Sequence, residues 1–403
     1  MLKRHTSGTI LAMPPSLPAA AEIVVVGAGV IGASVAWHLA ARGCRDVLVL
    51  DREPAPGRGS TARATGGFRA QFASEVNIRL SLLSRQKLLR FREEVGADPG
   101  YRPCGYLFLA AGEGQMAALR ALRPLQQAAG LTGVEEVSPE DARRLNPAIS
   151  VAGVAGGTFC PTDGFLVPSA IAAGYAAAAR ALGVRFETAT RVTALETAGG
   201  PLRVVTDRGA VTAGRVVNAA GAWAGELARL AGIEIPVRPL RRQVAATVPT
   251  AALSPDTPMT IFLEDGFHLR ERDGRVLLLW PRDGEPSDQG FDDRLDPRWL
   301  AEVEARTRLR VPGLAGVAID REAGWAGLYE MSPDKHALVG PAPGLPGLVL
   351  VNGSSGHGVM HAPALGQLVA EILLDGRAHS LDLHPLRPER FAEGRPNDEL
   401  SLL

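Results

Sequence analysis

Residues 22–51 read EIVVVGAGVIGASVAWHLAARGCRDVLVLD. EIVVV is a short β-branched run that stops at glycine, and VIGASVAWHLAARG is an alanine-rich helical stretch stopped by Gly43. DVLVLD is a second buried strand. Strand, helix and strand in so few residues make a β-α-β unit, whose parallel strands imply an α/β sheet. Between the first strand and the helix lies Gly27-Ala28-Gly29-Val30-Ile31-Gly32, a G-x-G-x-x-G turn. Gly27 permits the tight turn, Gly29 lets a pyrophosphate approach the backbone, and Gly32 lets helix and strand pack closely. The helix N-terminus favours the negative phosphates. Asp51 ends the second strand nineteen residues after Gly32, where a carboxylate can accept ribose hydroxyls. The unit therefore reads as an adenine-dinucleotide site, without separating NAD from FAD.

The loop that follows, GSTARATGGFRAQF (59–72), is polar and glycine-rich, and suits the far half of a large cofactor. Further along, residues 75–95 place Val76, Leu80, Leu83 and Phe91 at helical spacing. Helices are predicted at 115–129, after Ser138-Pro139 as N-cap and first turn, at 168–183 and at 297–310. Residues 184–195 read as one strand, and 202–221 as two or three short strands around a glycine turn. Residues 237–280 look antiparallel, with Asp273-Gly274 at a hairpin tip. Near the end, LVLV is a returning strand, and VNGSSGHGVMHAP (351–363) leads into a helix that Gly376 ends, with Pro363 near its first turn.

Composition sets bounds. At 403 residues the chain suits about two or three domains. Lys+Arg and Asp+Glu are 43 each, so no net field favours nucleic acid or an acidic membrane. Lys3, Lys87 and Lys335 are the only lysines, so chemistry needing an ammonium has few candidates. Cys44, Cys104 and Cys160 are scattered, which argues against a disulfide framework or a metal site and fits a reducing, cytoplasmic setting. The start, MLKRHTSGTILAMPPSLPAAAE, lacks an uninterrupted apolar core and reads as a flexible extension over 1–21. Glycines and a strand-then-helix pattern exclude a membrane span over 23–41.

Seven pieces, GAGVIG, VLVLDRE, GSTARATGGFRAQF, PTDGFLVP, VNAAGAWA, GLYEMSPDKHALVG and NGSSGHGVMHAP, run in order over roughly 22–380. Together they resemble the D-amino-acid-oxidase-type flavoproteins. The likeness is to the glycine and sarcosine oxidase and dehydrogenase branch, and to sarcosine oxidase β-subunit-like members. The resemblance implies an α/β, Rossmann-like FAD-binding domain of the GR2 type, interleaved with an antiparallel α+β substrate domain. The FAD-binding domain is expected over 22–95, 150–230 and 325–380, and the substrate domain over 96–149 and 231–324. Residues 381–403 are left as a tail.

By the same resemblance FAD lies against Gly27, Ala28, Gly29, Val30, Ile31 and Gly32, with Asp51 and Arg52 near the adenosine ribose. Ser60, Thr61, Ala62, Thr65, Gly66 and Gly67 line the pyrophosphate and flavin; Val192 reads adenine; Ala220, Gly221 and Trp223 pass beside the dinucleotide. Gly353, Ser354, Gly356, His357, Gly358, Val359 and Met360 form the wall at the flavin. Asp163-Gly164 and Pro168 are architectural. The substrate is expected to be a small amino acid or N-methyl amino acid of the sarcosine, glycine or proline kind, oxidised at its C–N bond by hydride transfer. Arg69 is the candidate for its carboxylate, with Tyr329, His268 and His361 at the pocket. Sarcosine oxidases carry a flavin-linked cysteine where this chain has Gly327, so FAD is expected to be non-covalent. They use one lysine for the substrate carboxylate, at the place of Met360, and another above the flavin for superoxide, for which RVLLLW offers none; this favours a dehydrogenase using an acceptor other than O₂. A homo-oligomer or a partner subunit is compatible with the resemblance. A 2-hydroxy-acid dehydrogenase, or a flavin-binding subunit without catalysis, stays open.

Overall fold

The computed structural model describes residues 16–197, 200–282 and 290–398. Those residues form two eight-stranded sheets and a two-stranded ribbon. The first strand, Ala20–Val26, sits centrally in the first sheet. Val25 pairs in parallel with Val49 of strand Val47–Leu50 and with Val217 of strand Gly209–Asn218. Strand Leu345–Asn352 continues the parallel set through Val217–Val349, and Arg185–Glu187 closes its other side. Side chains alternate across such a sheet, and here both faces are covered, so the strands are apolar throughout. Ile23, Val25, Val49 and Val351 pack under helices Val30–Ala41, Pro168–Ala181 and Gly358–Asp375. Val24, Val26, Leu48 and Leu350 face Leu195, Val204 and Leu227 on the opposite side.

The second sheet runs in the order Ile319–Met331, Arg238–Thr247, Arg275–Leu279, His268–Arg272, Met259–Phe262, Tyr106–Ala110, Gly156–Cys160 and Glu135–Val137. Leu107 and Leu109 point to a core filled by Trp299 from helix Pro297–Arg310. Tyr106 and Phe108, one residue out of phase, join Met259 and Ile261 on the face toward the first domain. That alternation presents one side of the sheet to the active site.

Local signals held where side chains close their own hydrogen bonds. Ser138 caps helix Pro139–Leu145 in a reciprocal box with Asp141. Asp273 and Gly274 turn the hairpin with φ of 56° and 74°, and Gly376 ends its helix at φ 79°.

Several expectations need correction. The strand expected over 184–195 is two, Arg185–Glu187 and Val192–Glu196, divided at Ala189 with φ 49°. The first pairs with the parallel sheet and the second with strand Leu202–Thr206, so no single straight run serves both. The helix over 75–95 breaks at Arg90 into Glu75–Leu89 and Phe91–Val95. Within the antiparallel region, Met259–Phe262 pairs in parallel with Tyr106–Ala110. Pro363 lies inside helix Gly358–Asp375 rather than in its first turn, because the helix starts earlier. The boundary expected at 325 falls inside strand Ile319–Met331, and strand Gly156–Cys160, expected with the FAD-binding pieces, pairs like it in the second sheet. The first strand begins at Ala20, inside the expected extension, whose residues 1–15 lie outside the described residues. The expected tail carries two short 3-10 turns, His384–Leu386 and Pro388–Arg390, packed on the body. No helix among the described residues is long and apolar enough to cross a membrane.

Candidate active site

At the carboxyl end of the first strand the chain turns at Gly27 with φ +109°, a region that side chains rarely adopt. A methyl at Gly27 would lie 2.3 Å from the Ala219 carbonyl oxygen, and one at Gly32 only 1.9 Å from the Gly27 oxygen. These two glycines therefore serve packing. Gly29 differs: a methyl there meets nothing nearer than Thr61 Oγ1 at 3.5 Å, because that side is open to a cavity.

The cavity holds about 460 Å³. Gly27, Gly29, Val30 and Ile31 border it together with Asp51, Arg52 and Val192. Asp51 Oδ2 accepts from Ala28 N–H at 2.6 Å and Oδ1 from Glu53 N–H at 2.8 Å. The carboxylate expected to meet a ribose thus first fixes the turn, and burial raises its pKa. The Arg52 guanidinium lies 3.7 Å over Trp223, which stacks on Phe291. Ala220 and Gly221 complete that side.

The loop after the second strand supplies Ser60, Thr61, Thr65, Gly66 and Gly67 to the wall. Thr61 Oγ1 accepts from Val30 N–H at 3.0 Å, and Ser60 donates to Leu328 O at 2.6 Å. Arg270 is turned away; it donates to Thr65 O at 2.7 Å and lies over Phe165, so it braces this loop. Ser354, Gly356, His357, Gly358, Val359 and Met360 form the opposite wall at the start of helix Gly358–Asp375. Ala28, Gly32, Ala62 and Gly353 are not on the wall: Ala28, Gly32 and Gly353 are buried, with the Ala28 N–H held by Asp51, and Ala62 is exposed.

Beyond that loop Arg69 reaches the cavity, only 4% exposed. Its Nη1 donates to Gln71 O at 2.8 Å and its Nη2 to His357 Nε2 at 3.3 Å. The guanidinium also lies 4.1 Å over Phe72. Among the described residues no carboxylate forms an ion pair with it. Buried Asp163 fixes this loop instead, accepting from Ala70 N–H at 2.8 Å and Gln71 Nε2 at 3.2 Å. Burial pushes the Asp163 carboxyl up to about 6.

Tyr329 and His268 border the same region. Gly356 lets the Tyr329 ring lie on the backbone, since a methyl there would sit 2.4 Å from it. His268 Nδ1 hydrogen-bonds Gly266 O at 2.8 Å. Burial and the Arg69 and Arg242 charges lower its pKa to about 4, so the ring is neutral with Nε2 as acceptor. Burial and then Arg69 likewise keep His357 neutral.

His361 is not on the wall. It follows His357 by one turn, but that face of the helix packs on helix Glu75–Leu89, where Nε2 meets Ser81 Oγ at 3.0 Å. Burial lowers its pKa to about 3. Trp37 and His38 are packing residues. Sequence reasoning missed Tyr106, Arg242, Glu330 and Lys335, all on the wall. Tyr106 lies in an apolar strand that reads as core; nothing local marks Lys335 as facing inward.

Residues 22–372 match the family described as FAD dependent oxidoreductase (DAO). The chain belongs to that family. It is 29% identical to the FAD-dependent oxidoreductase domain-containing protein 1 of Bos taurus, over 96% of this chain and 88% of that protein. It is 30% identical to the mitochondrial dimethylglycine dehydrogenase of Rattus norvegicus, over 94% of this chain but 46% of the relative's length. The L-proline dehydrogenase structure from P. horikoshii superposes with a TM-score of 0.87 at 30% identity, over 94% of this chain and 100% of that chain.

The cavity of this FAD-dependent oxidoreductase fits its cofactor. The open face at Gly29, a second at Gly221 where a methyl would meet nothing within 4 Å, and the helix N-terminus at Val30 leave room for a dinucleotide. At the other end Gly327 offers no nucleophile, and Cys44, Cys104 and Cys160 are off the wall.

Proposed function

We propose that this oxidoreductase oxidises the C–N bond of a small amino acid or N-methyl amino acid of the sarcosine, glycine or proline kind. Bound FAD supplies the hydride acceptor for the carbon next to nitrogen; the resulting imine takes up water to give an amine and a carbonyl, as two molecules from an acyclic substrate and as one ring-opened molecule from a proline-like one. The observation that carries the reading is Arg69, a buried cation on the wall with no carboxylate paired to it among the described residues. An unpaired buried charge is costly, and a substrate carboxylate relieves that cost through two parallel hydrogen bonds.

His357 accepts from Arg69 and keeps the guanidinium oriented. His268, neutral with Nε2 as acceptor, suits the amine N–H. Arg69 and Arg242 disfavour an ammonium nearby, so the substrate nitrogen loses its proton on binding. The sheet face carrying Tyr106, Met259 and Ile261 excludes water. Met360 and the strand RVLLLW, neither supplying the lysines that oxidases of the branch carry, favour an electron acceptor other than O₂. Non-covalent FAD and a cytoplasmic setting belong to the same proposal.

The test is anaerobic bleaching of the bound flavin by sarcosine, glycine, proline and other N-methyl amino acids, followed by re-oxidation with O₂ or a dye. Bleaching by one of them with faster dye than O₂ re-oxidation is expected. Bleaching by 2-hydroxy acids alone, or by nothing offered, sinks the proposal.

A further inference from the structure

Tyr106 borders the active-site cavity although only 4% exposed, and its hydroxyl hydrogen-bonds to none of the described residues. Hydroxyls of buried tyrosines ordinarily find a partner; half-buried Tyr101, for example, donates to Thr162 O at 2.6 Å. An unpartnered phenol on a cavity wall is a donor open to a ligand.

Three contacts place that donor beside Arg69. Strand Tyr106–Ala110 lies between Met259–Phe262 and Gly156–Cys160, and turns Tyr106 with Phe108, Met259 and Ile261 toward the first domain. A methyl on Gly67 would lie 1.9 Å from Tyr106 Oη. The hydroxyl therefore rests on the main chain of the loop that carries Arg69, at a glycine that itself borders the cavity. Gln71 ties the two residues together: its Nε2 donates to Tyr106 O at 3.1 Å, and its O accepts from Arg69 Nη1 at 2.8 Å. Of the oxygens that bear on the Arg69 charge, the Tyr106 phenol comes first, ahead of Asp163 and Tyr329. Burial raises the Tyr106 pKa, so the group keeps its proton and donates.

Arg69 gives one N–H to Gln71 and one to His357. A guanidinium has five, so three remain for a carboxylate with about four lone-pair sites. Met360 is apolar and adds none, and His268 presents an acceptor. We propose that Tyr106 is a substrate-binding residue whose O–H donates to the carboxylate that Arg69 holds, and so fixes how the substrate lies. The proposal rests on the carboxylate reading of Arg69 and sharpens it, because an amine without a carboxylate meets neither donor.

Two carboxylates that cannot yield a hydride, acetate and pyrrole-2-carboxylate, test it. Each is titrated into the FAD-loaded protein, and its dissociation constant is read from the change in flavin absorption. Tyr106→Phe, which removes one oxygen, is expected to weaken the tighter of the two roughly tenfold, about 1.4 kcal/mol. FAD occupancy and urea midpoint should stay as in wild type, and Arg69→Met should abolish binding of both. A Tyr106→Phe constant within threefold of wild type overturns the proposal. So does weaker binding accompanied by lost FAD or a lower urea midpoint, because the hydroxyl would then serve the fold. If neither carboxylate binds the yellow wild-type protein, or Arg69→Met binds as tightly, the reading of Arg69 itself fails and takes this proposal with it. Normal wild-type binding, lost in Arg69→Met but unaffected in Tyr106→Phe, defeats this proposal alone.

Discussion

Arg69 has two faces, because the group that suits a substrate carboxylate is a burden to the empty protein. Its guanidinium is buried against Phe72 and His357 with neutral partners, and burial lowers its pKa. Arg69→Met should therefore raise stability by about 1 kcal/mol while KM rises on the order of 100-fold. Urea denaturation and steady-state kinetics with the bleaching substrate would check both; lost stability together with lost activity would contradict the assignment. Arg69→Lys should recover little, since an ammonium lacks the planar fork. At this scale the sequence pointed to positions that do border the cavity, as at Arg69, Tyr329, Gly27 and Gly29. It was illegible where orientation decides. His357 and His361 share a helical spacing, yet one meets Arg69 and the other Ser81.

Two elements meet unusually closely. A methyl at Gly366 would lie 2.1 Å from Ser34 Oγ and 2.7 Å from the Ser34 carbonyl carbon, so helices Val30–Ala41 and Gly358–Asp375 touch backbone to side chain. Gly366→Ala should cost about 1–3 kcal/mol, since a main-chain atom cannot give way, and should weaken FAD binding because both helices start at the cavity. Unchanged urea midpoints and FAD affinity would refute this. The C-terminal segment makes the other strong contact. Arg390→Met leaves buried Asp334 without its charge partner and should cost about 3–5 kcal/mol, while Asp334→Leu with Arg390→Met should recover part of it. A double variant no better than the single one would show that the packing of the turn, not the pair, matters. Of these elements, caps and periodicity were readable, but the split at Ala189 was not. Its cause is partner choice: each half pairs in a different part of the sheet.

For the molecule as a whole, buried titrating groups set the response to pH. His38, His268 and His361 have pKa values lowered to about 3, 4 and 3, and His357 is also well below its ordinary value. The unfolded chain takes up their protons below about pH 6.5, so the stability they contribute is complete above that pH and lost as pH falls. Glu330 and Asp163, raised to about 7 and 6 by burial, act in the opposite sense: their contribution is lost as pH rises through those values. With His336 also lowered and Asp51 also raised by burial, five groups oppose three, so stability should rise by about 2–3 kcal/mol per pH unit between roughly pH 5 and 6, and level off above pH 7. Urea midpoints across pH 4.5–8 measure this; a maximum near pH 5 would overturn it. The sequence by itself determined the β-α-β unit, the glycine turn and the α/β class, because these depend on propensity and on spacings within some thirty residues. Tertiary structure alone decided which side chains face the cavity and that strands Gly156–Cys160 and Ile319–Met331 belong to the second sheet. It also decided that the supposed tail clamps the turn bearing Lys335. Those outcomes depend on contacts such as Asp334 with Arg390, fifty-six residues apart, which no local pattern records.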